Sequence, residues 1–140
     1  MVFVWSARYE MGVPDIDAQH RSLVDVINEV FDVLSELESE RIQTVLEKLD
    51  SYVSDHFALE AEYMKRTNYP GSELHQAAHA VFAIRIAELK SSPYNRKIVA
   101  LRAGVILNDW LREHLLAEDR LLCSHIREFG VGTPIDQTGT

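Results

Sequence analysis

A chain of 140 residues, 46% of them hydrophobic and 26% charged, has enough apolar side chains for one hydrophobic core, so we expect a single globular domain. The formal net charge of -8 disfavours binding to nucleic acid or to an anionic membrane through charge alone. No apolar run approaches the ~20 residues that span a bilayer. The first ten residues also lack a secretory signal pattern, so we expect a cytoplasmic protein without membrane or nucleic-acid partners.

Apolar residues recur at three- and four-residue steps in the first half of the chain, which predicts two helices. The first helix is expected to have Asp17 as its N-cap, and the second to run from about Ile42 to about Arg66. The predicted apolar positions of the first helix are Leu23, Ile27, Val30, Leu34 and Leu37. Those of the second are Ile42, Val45, Leu49, Tyr52 and Met64.

Two further helices are predicted in the second half of the chain. NYPGS, residues 68–72, ends the second helix, and Ser72 can cap the third. After a break at residues 91–95, we expect Ser92 to cap the fourth helix, with Pro93 at its first position and Gly130 as its end. The third helix should bury Phe82, Ile86 and Leu89, and the fourth Ile98, Leu101, Val105, Trp110, Leu111 and Leu122.

The order of these helices predicts an all-α fold, since no strand pattern competes. Four helices of similar length joined by short turns favour an antiparallel up-down-up-down four-helix bundle, here with an irregular N-terminal arm. We expect residues 1–130 to form this bundle and residues 131–140, VGTPIDQTGT, to be a flexible tail. Cys123 is the only cysteine, so no internal disulfide can form.

Polar residues fall on the apolar faces of these helices. His56 and Glu60 are four residues apart in line with Leu49, and His75 and His79 share a face with Phe82 and Ile86. His20 and His114 extend the apolar stripes of the first and fourth helices. One inward histidine is usually a hydrogen-bonded core residue, but five with a glutamate would need many separately satisfied polar groups. A metal satisfies them together. His125 lies beyond this group, and we expect it to be a solvated or interface residue.

Five histidines exceed the four ligands of a tetrahedral zinc site, so two metal ions are implied. Imidazole with carboxylate suits iron, and carboxylates commonly bridge two irons in a helical bundle. A second carboxylate must therefore come from near His114. In a regular helix Glu118 looks better placed than Asp119, which is rotated by about 140°.

Four stretches of the sequence resemble the hemerythrin family, in particular its single-domain bacterial members: GVPDIDAQH, HFALEAEYM, YPGSELHQAAHAVF and WLREHLLAED, within roughly residues 5–122. The resemblance implies two iron ions with a bridging oxo or hydroxo group. His75, His79 and His114 would bind one iron, His20 and His56 the other, and Glu60 and Asp119 would bridge them. Glu118 becomes an outer acid, and we hypothesise a π-type turn that brings Asp119 inward. Ala61 departs from the paired glutamates of many members.

The function implied by the resemblance is reversible dioxygen binding, so the protein is not expected to be an enzyme. The ligand, dioxygen or another small diatomic molecule or anion, would use an open position on the iron of His20 and His56. The expected pocket walls are Leu23, Phe57, Trp110, Leu111 and Leu115. Alternatives are a di-iron enzyme that reduces dioxygen, peroxide or nitric oxide, and an oxygen or redox sensor with a separate partner. We expect a monomer.

Overall fold

The structure, a computed structural model, describes residues 3–35 and 39–130, and every regular element among them is helical. The three uninterrupted helices are α1 (Pro14–Ser35), α2 (Ile42–Thr67) and α3 (Ser72–Ser91). The fourth long helix consists of α4 (Arg96–Trp110), a π-helical segment (Leu111–Glu118) and α5 (Asp119–Phe129). Single 3₁₀ turns occur at Ala7–Tyr9 and Ser39–Arg41.

These helices form the predicted four-helix bundle. Each helix packs against the next one in the chain, and α4 also packs against α1, which closes the bundle. The connections at residues 68–71 and 92–95 are short, so α2, α3 and α4 run antiparallel to their neighbours. Within the described parts of the chain, none of the helices has the length and apolarity needed to cross a bilayer.

The buried apolar side chains form two separate clusters. The larger one draws on α1 to α4 and includes Val30, Leu49, Phe82 and Leu107. The smaller one lies at the other end, where Met11, Val13 and Ile16 meet Leu59, Tyr63, Met64, Leu122, Cys123 and Ile126. Along α2, His56 and Glu60 come between residues of the larger cluster and Met64 of the smaller one. The polar residues of the bundle therefore form a layer between two apolar ones.

The prediction that Asp17 caps the first helix is wrong. The helix begins at Pro14, a favourable first residue because its missing N–H needs no partner there. Asp17 lies one turn inside, buried, and its carboxylate accepts hydrogen bonds from the backbone N–H groups of Met11 (2.8 Å) and Gly12 (3.1 Å). Gly12 has φ +82°, which suits a glycine. Asp17 thus fastens the N-terminal arm to the bundle.

The fourth helix also begins later than predicted, at Arg96 instead of Pro93. Asn95 is its N-cap, and the side-chain oxygen of Asn95 accepts a hydrogen bond from the Ile98 N–H at 2.9 Å. Ser72 does not cap the third helix either, since it is the first helical residue and follows Gly71. Several polar residues can cap a helix start, so the sequence did not choose between them.

The inward face of α4 differs from the predicted one. Val99, Ala100, Ala103 and Leu107 are buried, whereas Ile98, Leu101 and Val105 are 36%, 52% and 64% exposed. Apolar residues occur all round this helix, so periodicity alone could not identify the buried side. Tyr52 of α2 is likewise exposed. The predictions for Leu37 and for the tail at 131–140 fall outside the described residues.

Replacing Asn95 by alanine should lower the free energy of unfolding by about 1 kcal/mol, because the cap of the fourth helix is lost. Ser92→Ala is the matched control, since the Ser92 hydroxyl accepts only a longer hydrogen bond, 3.3 Å, from the Tyr94 N–H. Urea unfolding followed by circular dichroism measures both changes. A larger loss for Ser92→Ala than for Asn95→Ala would contradict the assignment of the cap.

Candidate metal centre

Seven polar side chains meet in the layer between the two apolar clusters. They come from all four long helices, and none of the seven residues is more than 6% exposed. The seven are His20 from α1, His56 and Glu60 from α2, His75 and His79 from α3, His114 from the π-helical segment and Asp119 from α5. The structure thus brings together all seven side chains that the resemblance implied as metal ligands, without Glu118. Their ligand atoms form two overlapping groups, each compact enough for one metal ion.

The first group, called here the three-histidine half, contains the Nε2 atoms of His75, His79 and His114. His75 and His79 Nε2 both lie 3.0 Å from Glu60 Oε1. His75 and His114 Nε2 both lie 3.1 Å from Asp119 Oδ1. The Nε2 atoms of His79 and His114 are 3.0 Å apart. Three imidazole nitrogens and two carboxylate oxygens therefore converge on one point.

The second group, the two-histidine half, uses the other oxygen of each carboxylate. The Nε2 atoms of His20 and His56 both lie 3.0 Å from Asp119 Oδ2, and His56 Nε2 lies 3.4 Å from Glu60 Oε2. Glu60 and Asp119 thus each direct one oxygen to each half. This is the arrangement of two carboxylates that bridge neighbouring cations.

The spacing of these atoms fits metal ligation. Two donor atoms that each lie about 2.1 Å from one ion, at a right angle, are about 3.0 Å apart. The nitrogen-oxygen separations of 3.0–3.1 Å match this distance. Asp119 Oδ1 lacks a hydrogen-bond partner among the described residues although two Nε2 atoms are close to it, and Glu60 Oε2 lacks one as well. A metal ion between these oxygens and the neighbouring imidazole nitrogens would satisfy both of them.

The electrostatics of the layer favour the neutral imidazole at His56 and His79, and the protonated form at His114. Burial lowers the pKa of His56 to about 4, and burial together with the neighbouring His114 and His75 lowers that of His79 to about 2. Burial also lowers the pKa of His114, but the adjacent Asp119 and Glu60 outweigh this and raise it to about 9. A neutral imidazole offers the lone pair that a metal requires.

The two carboxylates have pKa values shifted in opposite directions. Burial, reinforced by the charge of Asp119, raises the pKa of Glu60. Burial would raise that of Asp119 too, but the surrounding imidazoles of His114, His20, His56 and His75 hold it well below its usual range. Both carboxylates can be ionised together most easily beside a cation, which removes their mutual repulsion.

The π-helical segment explains why Asp119, rather than Glu118, reaches the centre. The Asp119 N–H bonds to the His114 carbonyl five residues earlier, as in a π-helix, so His114 and Asp119 lie on the same side. Asp119 is fully buried, whereas the Glu118 side chain is 43% exposed with Oε2 3.6 Å from His114 Nδ1. The hypothesis of a local widening is confirmed, and the choice of Glu118 from regular helical spacing is wrong.

Two of the predicted pocket residues are aromatic and lie against the three-histidine half. Phe57 stacks on His79, with ring centroids 3.7 Å apart, and Trp110 stacks on His114 at 5.6 Å. Leu23, Leu111 and Leu115 are buried in the larger apolar cluster. The expected open position belongs to the other half, so a ligand pocket formed by these five residues stays a prediction.

Of two residues outside the seven, one lies apart from the layer and the other contacts a histidine in it. His125 lies apart from it, with Nε2 2.9 Å from the Thr67 carbonyl and its ring against Tyr69 and Phe129. Gln19, which the sequence analysis did not single out, has its Oε1 atom 2.9 Å from His56 Nδ1. No pattern along the sequence could reveal that contact, because the two residues lie on different helices.

Comparison with known proteins agrees with this geometry. Residues 11–126 match the sequence profile of the hemerythrin HHE cation binding domain. The chain belongs to the hemerythrin family. All seven side chains of the layer fall within the matched region, as do the π-helical segment and Gln19.

Relatives within the hemerythrin family include bacterial and animal proteins. A bacteriohemerythrin of Stenotrophomonas maltophilia is 25% identical over 126 residues, 90% of this chain and 82% of the relative. One of Pseudomonas aeruginosa is 30% identical over 116 residues, 83% of this chain and 76% of the relative. A crystal structure of a hemerythrin point mutant, 21% identical, superposes with a TM-score of 0.76 and covers 93% of this chain and 98% of its own. The fold is thus that of hemerythrin.

Asp119→Ala should reduce the metal bound per chain to about half or less, because one bridging carboxylate is lost from both halves. Glu118→Gln should bind as much metal as the unmodified protein, since Glu118 reaches only the outer nitrogen of His114. Metal content after anaerobic reconstitution and desalting, measured by elemental analysis, tests both. The reverse order of the two variants would show that Glu118 is the ligand.

Proposed function

We propose that this protein binds dioxygen reversibly at a centre of two iron ions held by the seven buried side chains. The single observation that carries the proposal is the division of Glu60 and Asp119 between two histidine groups of unequal size. The three-histidine half has five donor atoms and the two-histidine half has four. If an oxo or hydroxo group adds one donor to each iron, a six-coordinate centre keeps one position for an exogenous ligand, in the two-histidine half.

When bound, two ferrous ions supply the two electrons that reversible dioxygen binding requires. The residues of the chain then have two tasks. The ligands must keep both ions in place, which they would do from four helices that the apolar clusters pack together. Leu23, Leu111 and Leu115 with the rings of Phe57 and Trp110 would exclude water, which favours release of the neutral molecule over release of a charged product.

The composition of the layer favours a carrier over a di-iron enzyme. Ferritin-like di-iron proteins combine several glutamates with Glu-x-x-His pairs. Here five histidines accompany two carboxylates, and the pairs are His-x-x-x-Glu, as in His56 and Glu60, and His-x-x-x-His, as in His75 and His79. We therefore propose no enzymatic activity.

A sensor that changes its helix packing on ligation would need a separate partner. Pull-downs that differ between the ligated and the ligand-free protein would reveal such a partner.

The proposals of a monomer and of a cytoplasmic location rest on the sequence. The surface gives one reason to measure the oligomeric state, since Val81 and Ile84 of α3 and Leu101 and Val105 of α4 are each more than half exposed. Such side chains are common singly on monomers, but a contiguous apolar patch promotes association. Light scattering after size exclusion would decide between these two cases.

The test of function is anaerobic reconstitution with ferrous iron, followed by ultraviolet and visible spectra before air, after air and after removal of dioxygen. We expect about two irons per chain and a colour that appears with air and fades on deoxygenation. His56→Ala should lose the reversible colour because it removes a ligand of the two-histidine half. His125→Ala, a histidine outside the layer, is the control and should retain it.

Other outcomes of that experiment separate the alternatives. Irreversible bleaching, or steady consumption of an added reductant with dioxygen, would favour a di-iron enzyme. One iron per chain would overturn the two-iron centre itself. Retention of the reversible colour in His56→Ala would show that the two-histidine half does not hold the dioxygen-binding iron.

A further inference from the structure

One contact from outside the ligand set reaches a candidate ligand directly. Gln19 Oε1 lies 2.9 Å from Nδ1 of His56, a hydrogen-bond distance, while His56 Nε2 points to Asp119. The glutamine comes from α1 and the histidine from α2, so the contact joins two helices. It lies on the outer side of the two-histidine half.

The chemistry of imidazole makes this contact consequential. A neutral imidazole carries one proton on its two nitrogens, so a metal on Nε2 requires the proton on Nδ1. An acceptor beside Nδ1 selects that tautomer, fixes the plane of the ring and makes Nε2 a better donor. The amide oxygen of Gln19 is such an acceptor, and it remains one at every pH at which the protein is folded.

The other ligand of this half lacks comparable support. His20 Nδ1 is buried and has no hydrogen-bond partner among the described residues. In the three-histidine half the nearest outer group of His114 is a carboxylate, Glu118, at 3.6 Å. In the half with fewer histidines, His56 is therefore the imidazole whose Nδ1 has an acceptor within hydrogen-bond distance, and that acceptor is Gln19.

The position of Gln19 separates this role from one in core packing. Gln19 is half-buried and lines a surface hollow of about 260 Å³ with Ala18, Ser22, Tyr52 and Asp55. A substitution there opens no cavity in either apolar cluster, because the side chain borders solvent. We expect Gln19 variants to fold, so their metal binding can be measured.

We propose that Gln19 is a positioning residue that holds the His56 imidazole in its Nδ1–H tautomer and thereby sets the metal affinity of the two-histidine half. The inference rests on the proposed function only in that a metal ion must bind His56 Nε2. It does not require iron or dioxygen. It can therefore be tested with zinc, which binds imidazole and carboxylate and has no redox chemistry.

The experiment is a competition titration of the metal-free full chain with Zn²⁺ against a chromophoric chelator, which resolves successive binding steps. Gln19→Leu removes the acceptor at similar size and should weaken one step by about 10- to 100-fold while the other step stays unchanged. Gln19→Glu keeps an acceptor oxygen and should bind zinc at least as tightly as the unmodified protein. Ser22→Ala, in the same hollow, is the matched control, since the Ser22 hydroxyl bonds to the Ala18 carbonyl of its own helix.

A nuclear magnetic resonance measurement on the zinc-loaded protein tests the tautomer without relying on a variant. We expect the His56 ring proton on Nδ1, exchanging slowly and close in space to the Gln19 side chain, and we expect rapid exchange of this proton in Gln19→Leu. A proton on Nε2, or a Gln19→Leu protein with both zinc steps unchanged, would overturn the inference. So would equal weakening of both steps by Gln19→Leu and Ser22→Ala, which indicates helix packing.

Failure of the proposed function gives a different pattern. If iron binds but no reversible colour forms, the dioxygen proposal fails while the zinc titration stands. If only one metal ion binds per chain with iron as well as with zinc, the two-iron centre fails, and the His56 ring proton and its rapid exchange in Gln19→Leu still decide the role of Gln19.

Discussion

The sharing of two buried carboxylates between two groups of imidazoles is the constraint on which the rest of the structure depends. Glu60 and Asp119 lie side by side without solvent, and each directs one oxygen to each group. Two carboxylates so close repel each other when ionised, and burial adds a desolvation penalty. Cations between the carboxylates and the imidazoles would offset both effects. The layer is thus able to hold metal ions within the core of this bundle.

That constraint determines how the helices are used. The ligands come from all four long helices, so the ions would join the helices to one another at the level of the polar layer. The apolar clusters on either side of the layer pack the same helices against one another. The π-helical segment serves the same purpose locally, because it places His114 and Asp119 on one side of a helix that would otherwise separate them. The helix thus departs from regular α-helical spacing at the point where the site needs two ligands on one side.

The surroundings of the two halves differ as much as their ligand counts. Aromatic rings cover the three-histidine half, where Phe57 stacks on His79 and Trp110 on His114. The two-histidine half is backed by the amide of Gln19 and, beyond it, by a hollow in the surface. Outer groups of this kind tune ligand basicity and orientation. The half proposed to bind the exogenous ligand is therefore the one whose histidine contacts a neutral amide, whereas aromatic rings stack on histidines of the other half.

The sequence by itself determined the helical class, the four-helix order and the set of inward histidines. Steps of three and four residues report directly which side of a helix is apolar, and His56 with Glu60 and His75 with His79 follow that rule. The residue pattern also supplied the resemblance that pointed to Asp119. In α4 apolar residues occur on every side, so periodicity did not identify the buried face. At the start of this helix both Ser92 and Asn95 can act as the cap, so propensity did not identify its first residue.

Only the tertiary structure decided which atoms meet. The path of the backbone from His114 to Asp119 depends on a π-type hydrogen bond, and the division of each carboxylate between two halves depends on how four helices pack. The contact between Gln19 and His56 joins residues 37 positions apart. A helix fixes the direction of its own side chains, but the neighbour that each side chain finds is set by packing between helices, which sequence spacing does not encode.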